Sequence, residues 1–423
     1  MYVVHSAVYS TTPMGAGGVQ CLSVRGVSLP AVNDSRPAVD WETLQGPYGP
    51  ASDVPQLLQT LRSEDPSARI EAEEQLEDHV QHQGLVHEPA AFVAPYLIDL
   101  LADQEAPDRL VAYRLLQTTI DCVELYESLM PASDVPSLDD LAQQRSDFWL
   151  SRSTEWRRHG GPQSVVTSPC HAAAYAAVRA GVPVYLRVLQ EPDRNLRLGM
   201  ANLLTSFPQE WPAVAPVLAE RLSVETDRAV VAKMCLVAGL AGRPSDGAIV
   251  DALQAWRGNS DRLLHRAALI GLVGTLPAPD TSLLTDLSDC LMEPVEDCDS
   301  DAGVMANATA SALGGRSPNS VPQLAGLLLE RMRVPDPRRH DFLALRLLLG
   351  LTFPDGPLPD GAVLDDLSPR QQEVVRVVVD ARLLRQGAMM PRTIGECNLP
   401  HTEEGLTAWC AGQPHEARRV HGV

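Results

Sequence analysis

The sequence predicts an all-α protein built from repeated helix pairs, and three observations carry that prediction. The 423-residue chain is 45% apolar but only 4% aromatic. Its Leu-, Ala- and Val-weighted mix suits helices better than a β-sandwich, whose pleated faces favour aromatic and β-branched side chains. A proline followed two and six positions later by apolar residues recurs along the chain, and an aspartate-led pattern carrying an arginine recurs between the copies. A chain of this length exceeds one ordinary globular core, so it must divide into domains or extend as a repeat array.

Residues 1–38 show no helical period, are rich in Gly, Ser, Pro and Val, and include Gly15-Ala16-Gly17-Gly18 with no lysine or helix after it. They are expected to be disordered or to precede the true start, which would then fall at Val32 or Val39, because patterned sequence begins at Trp41. From there the proline pattern reads Pro55-Leu57-Leu61, Pro95-Leu97-Leu101, Pro183-Tyr185-Leu189, Pro216-Leu218-Leu222 and Pro322-Leu324-Leu328. Proline is tolerated in a first helical turn, where its missing N–H had no partner, and the two apolar positions share a helix face. Each copy is therefore expected to open a helix.

The second pattern comprises Asp65-Pro66 with Arg69, Pro107-Asp108-Arg109, Pro192-Asp193 with Arg197, Asp227-Arg228, Asp261-Arg262, and Asp336-Pro337 with Arg338-Arg339. Aspartate accepts from the orphan N–H groups at a helix start, so each marks the cap of a second helix. In three units the proline and the second-helix arginine stand 14 residues apart: Pro55 to Arg69, Pro95 to Arg109 and Pro183 to Arg197. Small or apolar residues follow three and seven positions on, as in Arg69-Ala72-Leu76, Arg109-Ala112-Leu116 and Arg197-Met200-Leu204. Helix pairs of this size cannot bury their faces alone and must stack. They occupy 39–126 and 168–352; the units near 245–275 and 280–314 lack the opening proline.

A segment at 127–167 interrupts the array. Its helix, Ser137 to His159, has Asp139 and Asp140 at its positive end and Arg157, Arg158 and His159 at its negative end, before Gly160-Gly161. Phe148, Trp149 and Trp156 on it are candidate contacts of a partner-binding flap, or rings that pack back on neighbouring repeats. Residues 353–410 are expected to form a C-terminal helical cap, and 411–423 a disordered tail.

The proline-opened helix, the aspartate-capped second helix and the Arg-x-x-Ala-x-x-x-Leu spacing resemble HEAT repeats, specifically the bacterial phycobilisome lyase HEAT-like type, over about residues 40–350. Asp40-Trp41 to Pro55, His82-Gln83-Gly84 and Ala177 to Pro183 are similar to a recurrent bacterial HEAT protein type of unassigned function, as are Leu367-Ser368-Pro369-Arg370-Gln371 and Pro400-His401-Thr402-Glu403-Glu404. The resemblance implies a right-handed α-solenoid of about six to seven helix pairs with second helices on the concave surface. It fixes architecture and leaves the chemistry open.

Lys and Arg total 34 against 54 Asp and Glu, a formal charge of −20, which opposes phosphate backbones and anionic membranes. Residues 51–126 hold 15 carboxylates against 4 arginines, whereas 151–280 hold 11 against 14 cations. Lys233 is the only lysine, so a P-loop is absent. There is no run of 18 uncharged apolar residues and no signal-like start, which makes a cytoplasmic location the expectation. The eight cysteines are scattered without a C-x-x-C and read as reduced thiols.

The candidate binding residues form a column on the second helices: Arg69, Arg109 and Arg197, with Lys233, His265, Arg266 and Arg339 near the same register. They would either face a partner or pair with aspartates of adjacent units. His79, His82 and His87 give half of a zinc pattern and read instead as a solvated helix end stopped by Gly84. Asp297-Cys298-Asp299-Ser300-Asp301 lacks the glycine and glutamate a calcium loop requires, since Ala302 and Ala308 stand there. No catalytic, metal or cofactor constellation is found. The expectation is a non-catalytic protein–protein interaction scaffold or adaptor that holds its partner on the concave face. Two alternatives stay open: an immunity-type protein that neutralises a toxin domain through the acidic block, and a HEAT-like DNA glycosylase, which the charge disfavours and Trp149, Trp156, Trp211 and Trp256 keep in play.

Overall fold

Asp65, Asp108, Asp193, Asp227 and Asp261 each turn a carboxylate onto the N–H two residues ahead, and that repeated cap starts the second helices of a predominantly helical fold. The computed structural model describes residues 39–82, 85–121, 169–242, 247–292, 320–333, 342–353, 358–359, 361–385, 391, 394–395 and 397–413. Sixteen α-helices and two short ladders lie among them.

The first pairs are α1 (Val54–Thr60) with α2 (Pro66–Val80), and α3 (Pro89–Ala102) with α4 (Leu110–Asp121). Next come α5 (Pro169–Arg179), α6 (Val182–Val188), α7 (Arg194–Leu204), α8 (Trp211–Val224) and α9 (Arg228–Ala241). The rest are α10 (Gly247–Arg257), α11 (Arg262–Thr275), α12 (Thr281–Met292), α13 (Ser320–Met332), α14 (Phe342–Thr352), α15 (Pro369–Asp380) and α16 (Glu403–Cys410). The second helices α2, α4, α7, α9 and α11 pack each on the next, while α3 packs on α5 and, less extensively, on α6, and α8 packs on α10.

The proline pattern marks helix starts at Pro55, Pro183 and Pro322, which sit in first turns of α1, α6 and α13. It misplaces two others: Pro95 and Pro216 lie inside α3 and α8. Those helices begin a turn or more earlier because Pro89 and Pro212 already start them, and buried Val93 and Ala94, or Val214 and Ala215, hold the extra turn in the core. The chain after α2 also departs from expectation. Rather than a solvated helix end, Gln81 turns extended and β3 (Gln81–His82) pairs antiparallel with β4 (Leu85–Val86), leaving His87 buried. A like ladder, β1 (Gln45–Gly46) with β2 (Gly49–Pro50), precedes α1. At the far end Ser368 and Gln371 form a reciprocal capping box on α15, and Thr402 caps α16.

The core is Leu, Val and Ala, with Trp211, Tyr185 and Phe207 its largest buried side chains. α9 and α11 approach most closely at Gly239 and Gly274, where a Cβ on Gly274 would stand 2.5 Å from the Gly239 Cα. Cys235 between them is fully buried, which pushes its thiol up to about 12, and Cys170, Cys290, Cys397 and Cys410 are likewise unbridged. No helix among the described residues is long and apolar enough to cross a membrane.

Candidate binding face

Arginines of the expected column donate to backbone carbonyls within the fold. Arg69 Nη1 donates to Ser63 O at 2.7 Å, Arg109 Nε to Leu101 O at 2.7 Å, and Arg197 Nη1 to Glu191 O and Pro192 O at 3.1 and 2.6 Å. His265 Nδ1 donates in the same way to Arg257 O. The Leu101 and Arg257 carbonyls lie in the last turns of α3 and α10, among the groups a helix C-terminus leaves unsatisfied, whereas Ser63, Glu191 and Pro192 lie in the turns that follow α1 and α6. Arg266 is buried and donates to Cys290 O at 2.5 Å, while Lys233 is half-buried on α9. Arg339 and the flap residues Phe148, Trp149 and Trp156 lie outside the described residues, as does the Asp297 to Asp301 run.

The column also mixes two registers. Arg69 and Arg197 stand four residues after their capping aspartates, whereas Arg109 directly follows Asp108, the position of Arg194 and Arg228. From that position Arg194 reaches Asp227 at 2.7 Å and Arg228 reaches Asp261 at 2.5 Å, so one unit's arginine binds the next unit's cap. Arg109 instead grips Glu191 through Nη1 and Nη2 at 2.5 and 2.9 Å. The expected arginine-to-aspartate pairing thus runs through Arg194 and Arg228.

The most buried ion pair is one the sequence did not single out. Arg197 donates through Nε to Glu225 at 2.7 Å, and Arg221 adds Nη2 at 2.9 Å. Burial alone would push the Glu225 carboxyl up, but the Thr226 and Asp227 N–H groups and both guanidiniums hold it down at about 2. Its only sequence mark is a glutamate two residues before a capping aspartate.

Charge is less matched on the outer face of α2. Ile70, Glu73, Glu74 and Glu77 share one face by their three- and four-residue spacing. Ile70 is 56% exposed, an unusual place for an isoleucine on so acidic a helix. Between α2 and α4 lies a cleft of about 250 Å³ with Glu73 and Glu77 on one wall and Tyr113, Arg114 and Gln117 on the other. Arg114 binds Glu73 with two parallel bonds of 2.5 and 2.7 Å. Among the described residues no cation reaches Glu77, and desolvation at the cleft wall, then Glu73, Asp78 and Glu74, raise its carboxyl above the ordinary range. Asn202 of α7 ties the far wall together, donating to Tyr113 Oη at 3.3 Å and Gln117 Oε1 at 2.9 Å, and the Tyr113 ring lies over Gly199.

His79 pairs with Asp53 at 2.9 Å, His82 with Asp78 at 3.0 Å, and burial lowers His87 to about 4, with His82 and His79 adding to it. No three His, Cys, Asp or Glu side chains among the described residues converge on a metal position. Trp211 lies in the core and Trp256 Nε1 donates to Leu222 O at 3.3 Å, so neither walls a cationic cleft. Among the described cations of the middle units, Arg179 is paired with Glu210 and Arg257 with Asp286, besides those above.

No protein-family model matches the chain, and no curated protein matches it. Among solved structures it is similar to crystal structures of two engineered proteins from the Northeast Structural Genomics Consortium. One is 16% identical with a TM-score of 0.35, covering 62% of this chain and 95% of that chain. The other is 13% identical with a TM-score of 0.26, covering 84% of this chain and 99% of that chain. At such scores the fold and the site stand on this chain's own residues.

Proposed function

We propose that the protein is a non-catalytic scaffold, an α-solenoid of HEAT-like helix pairs that binds a basic protein partner across its second helices at the N-terminal end. The solenoid reading is supported by the row of packed second helices and by the Arg194–Asp227 and Arg228–Asp261 links between successive caps. The binding reading rests on one observation: Glu77, at a cleft wall beside exposed Ile70, carries a charge that its neighbours oppose and that no described cation matches. A lysine or arginine from a partner would relieve that repulsion while the isoleucine contributes apolar contact. An immunity-type role is the same contact with a basic toxin enzyme as the partner. A glycosylase role finds little support in a chain of formal charge −20 whose Arg179, Arg194 and Arg228 are each paired with a carboxylate.

The test is affinity capture from source cells with the full chain and with a Glu74→Lys/Glu77→Lys variant, quantifying protein and nucleic acid together. One stoichiometric basic protein, retained by the natural chain and lost by the variant, is expected. A partner held equally by both would refute the acidic face, and nucleic acid alone would refute the scaffold.

A further inference from the structure

The C-terminal end carries a second, larger groove that the acidic cleft does not explain. It measures about 740 Å³ and runs along one face of α15, with Arg370, Glu373, Arg376, Val377 and Asp380 on that helix and Arg333 just beyond the end of α13. These positions recur every three or four residues, so they form a continuous strip. Arg333 Nη2 and Arg370 Nη1 both bind Glu373, at 2.5 and 2.8 Å, leaving one net positive charge on that trio. Arg376 makes its hydrogen bond to the neutral Gln372 side chain at 3.3 Å, and among the described residues no cation pairs with Asp380.

Charge along the strip is therefore graded. Its cationic end coincides with the N-terminus of α15, where the helix dipole adds positive potential, and its anionic end with the C-terminus, where the dipole adds negative potential. Arg370 and Asp380 are ten residues apart, about 15 Å along the axis at ~1.5 Å per residue. An extended chain covers that distance in about five residues at ~3.3 Å each. Val377 and the arginine stems supply an apolar floor.

We propose that this groove binds an extended segment of another protein that places a carboxylate against Arg333, Arg370 and Arg376 and a cation about five positions away against Asp380. The length and the grading favour a peptide over a single small anion, which would use only one end. The site is separate from the α2–α4 cleft, so either can fail alone.

The experiment uses the full chain and labelled hexapeptides followed by fluorescence anisotropy at low and moderate salt. Glu-Glu-Gly-Ala-Ser-Lys is the probe, and Gln-Gln-Gly-Ala-Ser-Lys its neutral-headed control. Binding of the first, weakened by salt and about tenfold weaker for the control, is expected, since one charged contact of this kind is worth about that factor. Arg376→Ala should weaken the probe. Glu373→Gln should strengthen it, because Arg333 and Arg370 then lose their internal anion; a merely structural Glu373 would give the opposite sign. Equal affinity for both peptides would overturn the proposal, as would indifference to both variants. A dimer in light scattering that Arg376→Ala dissociates would also overturn it, since a second copy would then fill the groove.

Discussion

Replacing Glu225 tests the internal brace most directly. Its side chain is 1% exposed and receives Arg197, Arg221 and the N–H groups of Thr226 and Asp227. The hydrogen bonds that hold its carboxyl at about 2, against an ordinary 4.5, make ionisation favourable in the folded state by about 3 kcal/mol at ~1.4 kcal/mol per pH unit. Because the folded value is depressed, that stability is complete above pH 4.5 and is lost as the pH falls toward 2. Glu225→Ala goes further. It leaves Arg197, 7% exposed, without its anion and two backbone donors without an acceptor, a loss of about 3–5 kcal/mol. Urea unfolding followed by far-UV circular dichroism from pH 7 to pH 2.5 measures both effects. Glu225→Gln should fall below the natural protein at neutral pH, with the gap closing through the acid limb. A loss under about 1 kcal/mol for Glu225→Ala, or a Glu225→Gln gap that stays constant with pH, would refute the reasoning.

The inter-unit link is expected to be weak by comparison: Arg194 is half-exposed, so a double-mutant cycle with Asp227 should give a coupling below about 1 kcal/mol, whereas Asp227→Ala alone loses a cap worth about 1 kcal/mol more. Gly274→Ala should cost about 1–3 kcal/mol, read as a lowered thermal midpoint, since its Cβ would stand 2.5 Å from Gly239 Cα. Glu77→Gln should raise the urea midpoint at pH 7 and leave it unchanged at pH 3. A carboxyl raised by folding destabilises only where it is ionised, so an equal shift at both pH values would contradict the repulsion inferred at the cleft.

Local chemistry was legible wherever one side chain decides the outcome. Five aspartate caps and the Ser368–Gln371 box follow from hydrogen bonds that span two or three residues, which a sequence displays directly. Pro95 and Pro216 were misread because proline signals a helix start only when nothing upstream can extend the helix. Pro89 and Pro212, with the buried turns after them, override the later signal. The β3–β4 hairpin escaped notice because two-residue strands carry no period. The candidate faces were less legible still. An arginine on a second helix reads identically whether it meets a partner or a backbone carbonyl at or after the end of the preceding helix, and Arg69, Arg109 and Arg197 all do the latter.

That outcome changes where function should be sought. Bracing the turns between paired helices and linking caps draws on guanidinium groups, because a planar fork can meet a carbonyl and a carboxylate together, as Arg109 and Arg197 do. Cations so placed add little to the field that an approaching molecule meets, whereas Glu71, Glu74 and Glu77 on α2 remain outward. Among the described residues of 151–280, Arg179, Arg194, Arg197, Arg221, Arg228 and Arg257 are held in ion pairs, which leaves them little free charge to offer a groove. A basic partner steered by electrostatics would be drawn to α2, whereas an acidic one would be repelled by a chain whose formal charge is −20. On that argument α15 departs from the rule: there two arginines share one carboxylate and a third binds only an amide, so positive charge reaches the surface.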